Sequence, residues 1–121
     1  MSENNSLGEK AEKLAIIYLK QKGHRIRHTN WRYKHKELDI ISEDRNELVF
    51  SEVKCRTGDM TEPFDAVTKT KQRFIIDAAN AYIEKYDIDK EVRFDIISIV
   101  AKGKTYKIEH IDDAFYPEVN R

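Results

Sequence analysis

Residues 37–56 read ELDIISEDRNELVFSEVKCR, two apolar-rich runs on either side of a polar turn. This pattern predicts a β-hairpin. The runs also contain the charged residues Glu37, Asp39, Glu52 and Lys54. Charges inside strands usually weaken them, so their presence here indicates a purpose other than stability.

The position of the turn decides which of these charges meet. A turn centred between residues 45 and 46 places Asp39 opposite Glu52 and Glu37 opposite Lys54. Strand alternation then puts Glu52 and Lys54 on one face, and Glu37 and Asp39 likewise. The hairpin is therefore predicted to gather three carboxylates and one ammonium into a patch. A register slip of one residue would break this arrangement.

Two interpretations of this patch are open. Two opposed carboxylates repel each other unless a positive charge lies between them, and Mg²⁺ prefers oxygen ligands. A bound metal can lower the pKa of water and clamp a phosphate oxygen, so these residue types suit phosphodiester hydrolysis. The alternative is a solvated strand face on which Lys54 bridges to Glu37.

The periodicity of the whole chain predicts the element order α-β-β-β-α-β-β. A first helix covers residues 7–22, where Ser6 and Glu9 have the spacing of a capping box. A second helix begins at about residue 65 or 68 and ends at Tyr86, and Lys71 is the one polar residue on its apolar face. We predict a single domain, residues 1–121, of the α/β class, with helices packed against a mixed sheet.

Charge is distributed unevenly in a chain whose formal net charge is zero. From Lys20 to Lys36 there are seven Lys or Arg and three His residues, with no Asp or Glu. Such a basic face can contact phosphates, although an ordinary solvated surface explains it equally well. The chain has no run of about 20 apolar residues and no signal-peptide core, so we expect a cytoplasmic protein without a membrane partner.

Several residues have simpler explanations than chemistry. The single cysteine, Cys55, excludes an internal disulfide and a multi-cysteine zinc site, and we interpret it as a small packing residue. His24 and His28 are interpreted as surface histidines rather than a zinc pair. Trp31 and Tyr33 could stack on an unpaired base, but half-buried packing is the favoured interpretation.

The hairpin motif resembles that of a known nuclease group. An acid followed about a dozen residues later by Glu-x-Lys, after an N-terminal helix, is similar to the PD-(D/E)XK superfamily. Over nearly its whole length the chain resembles the YraN family of bacterial proteins, often compared with archaeal Holliday junction resolvases. The matching segments are LGEKAEKLAIIYLKQKGHRI, NWR, ELDIIS, LVFSEVKCR, AVTKTKQR, RFDIISI and IEHIDDAF. The resemblance implies a restriction-endonuclease-like fold.

The resemblance also implies residue roles. Asp39 and Glu52 would be ligands of Mg²⁺ or Mn²⁺, and Lys54 the active-site lysine. Glu9 matches an acid that related resolvases place near the metal, or it caps the first helix. Gln72 matches a helix position that supports the active site in some relatives, or it is a plain exposed residue.

The chain departs from the family pattern beside the patch. Leu38 replaces the motif's proline, and Lys36 stands at a position that is usually glycine, where it could alter the approach to the patch or contact a phosphate. The expected phosphate contacts flank the patch and open the second helix: Arg25, Arg27, Arg32, Lys34, Lys36, Lys69, Lys71 and Arg73.

The expected function is that of a metal-dependent nuclease acting on DNA, with branched or structured DNA among the candidates. The alternative is a nucleic-acid-binding module of the same fold without significant catalysis. A third possibility is a protein-interaction role that uses the acidic C-terminal segment. Resolvase-like relatives act as homodimers, but no feature of this sequence specifies a dimer interface.

Overall fold

The elements of the chain follow the predicted order. The computed structural model describes residues 7–57 and 67–117. The elements are α1 (Leu7–Gln21), β1 (Arg25–Tyr33), β2 (Lys36–Asp44), β3 (Glu47–Thr57), α2 (Lys69–Tyr86), β4 (Glu91–Lys102) and β5 (Thr105–Phe115). The predicted mixed α/β fold is confirmed. Three predicted features lie outside the described residues: the helix cap at Ser6, a start of α2 at residue 65, and Glu118, the last acid of the acidic C-terminal segment.

The five strands form one mixed sheet in the order β1-β2-β3-β4-β5. Neighbouring strands are antiparallel except for β3 and β4, which pair in parallel over eleven residues each. A parallel pair needs a crossover connection, and the segment that contains α2 provides it. The edge strands are β1 and β5, and each contains a residue in the left-handed region: Asn30 with φ 52° and Asp113 with φ 56°. Neither described helix is long and apolar enough to span a bilayer.

The β2–β3 hairpin has the predicted register. Its ladder runs from the pair Asp44 and Glu47 to the pair Ile40 and Ser51. Arg45, with φ 60°, makes the turn. The turn is therefore centred between residues 45 and 46, as the sequence predicted.

Each face of the sheet has its own apolar cluster, and each cluster belongs to one helix. One cluster contains the buried α2 residues Ile75, Ala78, Ala79 and Tyr82. The other contains the buried α1 residues Ala11, Ala15 and Leu19, which recur every four residues along one side of the helix. Because β-strand side chains alternate between faces, the central strands supply both clusters.

Tyr82 joins α2 to the edge strand β1. Its ring is fully buried and meets the Phe50 and Trp31 rings edge to face. Its hydroxyl accepts a hydrogen bond from Arg27 Nε at 2.9 Å and lies 2.7 Å from His28 Nδ1. These two basic side chains of β1 therefore contribute to packing.

The prediction of a surface position is wrong for His24. Only 6% of this residue is exposed, and its Nδ1 lies 2.9 Å from the hydroxyl of Ser42. Burial lowers the pKa of His24, against the attraction of the Asp44 carboxylate. The residue serves as a neutral, hydrogen-bonded part of the interior.

A buried charge cluster ties β4 to β5. Asp95 is fully buried, and its carboxylate accepts hydrogen bonds from Arg93 Nε at 3.0 Å, His110 Nε2 at 2.8 Å and the Asp113 N–H at 2.9 Å. His110 Nδ1 in turn lies 2.9 Å from the hydroxyl of Tyr18 on α1. Burial alone would raise the pKa of Asp95, but the bonds from His110, Arg93 and the Asp113 amide hold it below its ordinary value.

We expect Asp95→Asn to lower the free energy of unfolding by about 3 kcal/mol, because Arg93 and His110 would lose the buried charge that they face. Folding lowers the pKa of Asp95, so the ionised carboxylate contributes its full stability above the unfolded value of 3.8. That contribution is lost as the pH falls through the folded-state pKa. Urea unfolding at several pH values should therefore show a gap between the two proteins that narrows in acid.

The control for this measurement is Asp112→Asn, which changes an exposed carboxylate of the same strand, β5. It should leave the free energy of unfolding nearly unchanged. An Asp95→Asn deficit that stayed constant down to acidic pH would contradict the assignment.

Candidate active site

The β2–β3 ladder ends at Asp39. A continued ladder would pair Val53 with Leu38, but the Val53 N–H instead donates to Asp39 Oδ2 at 2.8 Å. A backbone donor inside a sheet must find an acceptor, and here a side chain supplies it. The backbone pairing of β2 and β3 thus stops before Asp39, whose carboxylate takes the place of a backbone acceptor.

The same position changes the alternation of β2. Leu38 belongs to the cluster beneath α2, whereas Ile40 belongs to the cluster beneath α1, although residues two apart on a regular strand face the same side. On β1, Asn30 lies between the pairs that join Thr29 to Ile40 and Trp31 to Leu38, and its φ is 52°. Both strands are thus irregular at the level of Asp39.

Glu52 supplies a second carboxylate from the adjacent strand. Only 6% of this residue is exposed. Its Oε2 lies 3.7 Å from Lys54 Nζ and 3.3 Å from Lys71 Nζ on α2. Ion pairs thus join Lys54 to Glu52 and Glu37 to Arg32, not Lys54 to Glu37 as the strand-face interpretation supposed.

The charge of Glu52 influences the carboxylate of Asp39. Burial, and next the negative charge of Glu52, raise the pKa of Asp39 to about 7. The hydrogen bond from the Val53 N–H and the positive charge of Lys71 lower this pKa, but by less than burial and Glu52 raise it. The site therefore concentrates negative charge where solvent compensates it poorly.

An open groove of about 520 Å³ lies between α1 and the strands at this site. Its lining includes the carboxylates of Glu9, Glu12, Glu37 and Asp39. Asn30 Nδ2 donates to Glu12 Oε1 at 2.9 Å, which fixes this acid against β1. The negative charge of Glu12 also raises the pKa of Asp39.

The donor set fits a hard divalent cation with few protein ligands. Within residues 7–57 and 67–117, no three Asp, Glu, His or Cys residues lie close enough together to form a full cage. Mg²⁺ is nevertheless commonly held by one or two carboxylates, with water and substrate phosphate completing its octahedron. Asp39 and Glu52 provide such a pair, and Glu12 and Glu9 line the groove on the Asp39 side of it. The role of Glu9 as a third ligand stays a prediction.

The predicted phosphate contacts divide into two groups. Arg25 and Arg27 both pair with Glu43, close to the β2–β3 turn, and are not brought to the carboxylates. The remaining residues lie at the other end of β2 or in the first turns of α2: Arg32, Lys34, Lys36, Lys69, Lys71 and Arg73. Of these, Lys71 contacts the site directly through Glu52.

The side chains of Gln72 and Lys36 make contacts with α2 and the segment just before it. Gln72 is only 6% exposed, so its interpretation as an exposed helix residue is wrong. Its Nε2 donates to the carbonyl of Val67 at 3.1 Å, just before α2 begins. Lys36 places its ammonium 5.3 Å from the centre of the Phe74 ring.

One residue of the site, Glu12, and one role, that of Lys71 beside Glu52, were not predicted from the sequence. Glu12 follows Glu9 by three residues, so both lie on one side of α1, but its link to Asn30 depends on the left-handed residue in β1. Lys71 was assigned to phosphate, although it also neutralises Glu52. Its place as the one polar residue on an apolar helix face was the available signal.

We expect Asp39→Asn to fold normally, because the amide oxygen can still accept the Val53 N–H. Asp39→Leu removes that acceptor and should be less stable than Asp39→Asn by about 1–3 kcal/mol. Hydrogen exchange of the Val53 amide, followed by NMR, should be fast only in Asp39→Leu. Equal protection of this amide in both variants would contradict the proposed role of the side chain.

Comparison with known proteins identifies the family. The family described as "Uncharacterised protein family UPF0102" matches residues 11–99, a range that includes Glu12 and begins after Glu9. A UPF0102 protein of Phocaeicola vulgatus is 48% identical over 120 residues, covering 98% of this chain and 99% of that protein. A UPF0102 protein of Bacteroides fragilis is 47% identical over 118 residues, with 97% and 98% covered. The YraN family is UPF0102, so the predicted resemblance to that family is confirmed. The chain therefore belongs to the protein family UPF0102.

Proposed function

We propose that this protein is a metal-dependent nuclease of the PD-(D/E)XK type that hydrolyses phosphodiester bonds of DNA, with branched or structured DNA among its substrates. The observation that carries the proposal is the break in the β2–β3 ladder at Asp39. The sheet gives up regular pairing at the position where Asp39 and Glu52 bring two carboxylates together, with Lys54 and Lys71 beside them. A purely structural strand pair would gain nothing from this arrangement.

Each side chain has a chemical task under this proposal. Asp39 and Glu52 would hold Mg²⁺ or Mn²⁺, which supplies an activated water and an electrophilic clamp on a phosphate oxygen. Lys54 stabilises the negative charge that develops on the phosphoryl group as water attacks phosphorus and the P–O bond breaks. Lys71, 3.3 Å from Glu52 Oε2, would contact a phosphate bound beside this carboxylate.

A second candidate function is a nucleic-acid-binding module of this fold without significant catalysis. The observation that favours it is that Lys54 and Lys71 both pair with Glu52, so the chain's own ammonium groups compensate the charge of this carboxylate. Such a module would bind DNA in a salt-sensitive manner, indifferent to Mg²⁺ and to the replacement of Asp39.

We expect the purified protein to cut DNA only when Mg²⁺ or Mn²⁺ is present. Asp39→Asn, Glu52→Gln and Lys54→Met should each reduce the cleavage rate by at least about 100-fold, because each removes a group that acts on the transition-state charge. The measurement compares linear duplex, single-stranded, flap and four-way DNA in denaturing gels. Glu84→Gln, at an exposed position near the end of α2, is the matched control and should cut normally. Unchanged cutting by Asp39→Asn or Lys54→Met would remove the assigned chemistry.

We also expect divalent cations to stabilise the wild-type protein in the absence of DNA. At a cation concentration about 100 times the Kd, binding to the folded state adds about 2.7 kcal/mol, or roughly 10 °C in Tm. The double variant Asp39→Asn, Glu52→Gln should lose this increase, while Asp89→Asn, at an exposed position away from the groove, should retain it. Differential scanning fluorimetry at constant ionic strength makes the measurement. An equal shift in the double variant would place the cation elsewhere.

A further inference from the structure

Three aromatic rings lie on the α2 side of the sheet, the side on which Lys71 meets Glu52. Trp31 and Tyr33 are nearly parallel, with an interplanar angle of 7° and ring centres 6.4 Å apart. The Tyr33 ring is also 6.0 Å from the ring of Phe74 on α2. Trp31 packs edge to face on the buried Tyr82, so it forms the base of the group. Tyr33 and Phe74 are half-buried, and we call this pair the aromatic shelf.

A lysine ammonium lies over each ring of the aromatic shelf. Lys34 Nζ is 5.3 Å from the centre of Tyr33, and Lys36 Nζ is 5.3 Å from the centre of Phe74. Both lysines are exposed, so each ring presents one face that a mobile, solvated side chain can reach. A nucleobase stacks on a face of this kind, and a displaced ammonium can then pair with a neighbouring phosphate.

The aromatic shelf is connected to the carboxylates through α2 and through the start of β2. Phe74 lies three residues after Lys71 on α2, so the two side chains are neighbours on the helix surface, and Lys71 contacts Glu52. On the sheet, Tyr33 pairs with Lys36 at the start of β2, three residues before Asp39. A nucleotide on the shelf would thus hold its backbone beside the groups that are proposed to act on phosphate.

We propose that the aromatic shelf takes one unpaired base of a nucleic acid, with Lys34 and Lys36 moving from the rings to the flanking phosphates. The inference rests on the proposed function and names its substrate class. In a continuous duplex, neighbouring bases cover both faces of each base, so a base must be unpaired and unstacked to reach the shelf. The substrate is therefore DNA with unpaired nucleotides beside the cut, such as a flap, a gap or an open junction.

The competing explanation is that Tyr33 and Phe74 only fill the space between β1 and α2. Packing of that kind needs apolar volume but no ring faces, and it is indifferent to single-stranded DNA. Replacement of each ring by leucine largely keeps the volume and removes the stacking surface, so the two explanations predict different results.

The test is a binding measurement that needs no cleavage. Trp31 is the only tryptophan, and it lies under the aromatic shelf, so its fluorescence reports occupancy. We expect an oligothymidylate of about 15 nucleotides to quench this fluorescence and to bind at least about 10-fold more tightly than a duplex of equal length, in EDTA and at fixed salt. Tyr33→Leu and Phe74→Leu should each weaken oligothymidylate binding by about 10-fold while changing duplex binding little.

Two further variants separate folding from binding. Tyr106→Leu removes an exposed tyrosine of β5, outside the aromatic shelf, and should bind as the wild type does. Lys34→Gln with Lys36→Gln leaves the rings in place and should weaken binding mainly at low salt. Thermal unfolding of every variant confirms that the fold is kept.

The outcomes separate this inference from the proposed nuclease activity. Equal affinity for the oligothymidylate and the duplex, no binding of either, or unchanged affinity in both leucine variants would overturn the role of the shelf. Metal-dependent cleavage of a continuous duplex by the same preparation would then support the nuclease proposal without a role for the shelf. Selective oligothymidylate binding without cleavage of any substrate would support the shelf and favour the binding module.

Discussion

The hydrogen bond from the Val53 amide to the Asp39 carboxylate reconciles two requirements of this structure. A sheet must satisfy its backbone donors, whereas a site between two strands needs the strands to separate. Asp39 meets both requirements, because its side chain accepts the hydrogen bond of the Val53 N–H that a backbone carbonyl of β2 would otherwise accept. The regular ladder on the turn side and the acidic groove on the other side both begin at this residue.

The positive charge of the protein is divided between structure and surface. Arg93 pairs with Asp44, Glu47 and Asp95, and these three carboxylates stabilise its charged form. Arg25 and Arg27 are matched by Glu43. A formal net charge of zero thus coexists with a local excess of lysine and arginine around the start of β2 and α2, which is where phosphate contacts would be useful.

The sequence predicted most of the fold because local signals agreed. The turn at residues 45 and 46 and the alternation on each side of it were enough to give the register of β2 and β3, and hence the approach of Asp39 to Glu52. The roles of Arg27, His24 and Gln72 were not predictable in the same way. Their hydrogen-bond partners lie on other elements or before the helix starts, and no periodicity encodes those contacts. The same applies to Glu12, whose orientation depends on the conformation of Asn30.

The left-handed residues Asn30 and Asp113 stand in the two outermost strands. A second chain that extended the sheet by edge-to-edge pairing would have to follow this irregular backbone, and along β1 it would also meet the charged side chains of Arg25, Arg27 and Arg32. Interrupted, charged edges of this kind resist the addition of further strands. We therefore expect the sheet to end at five strands in solution.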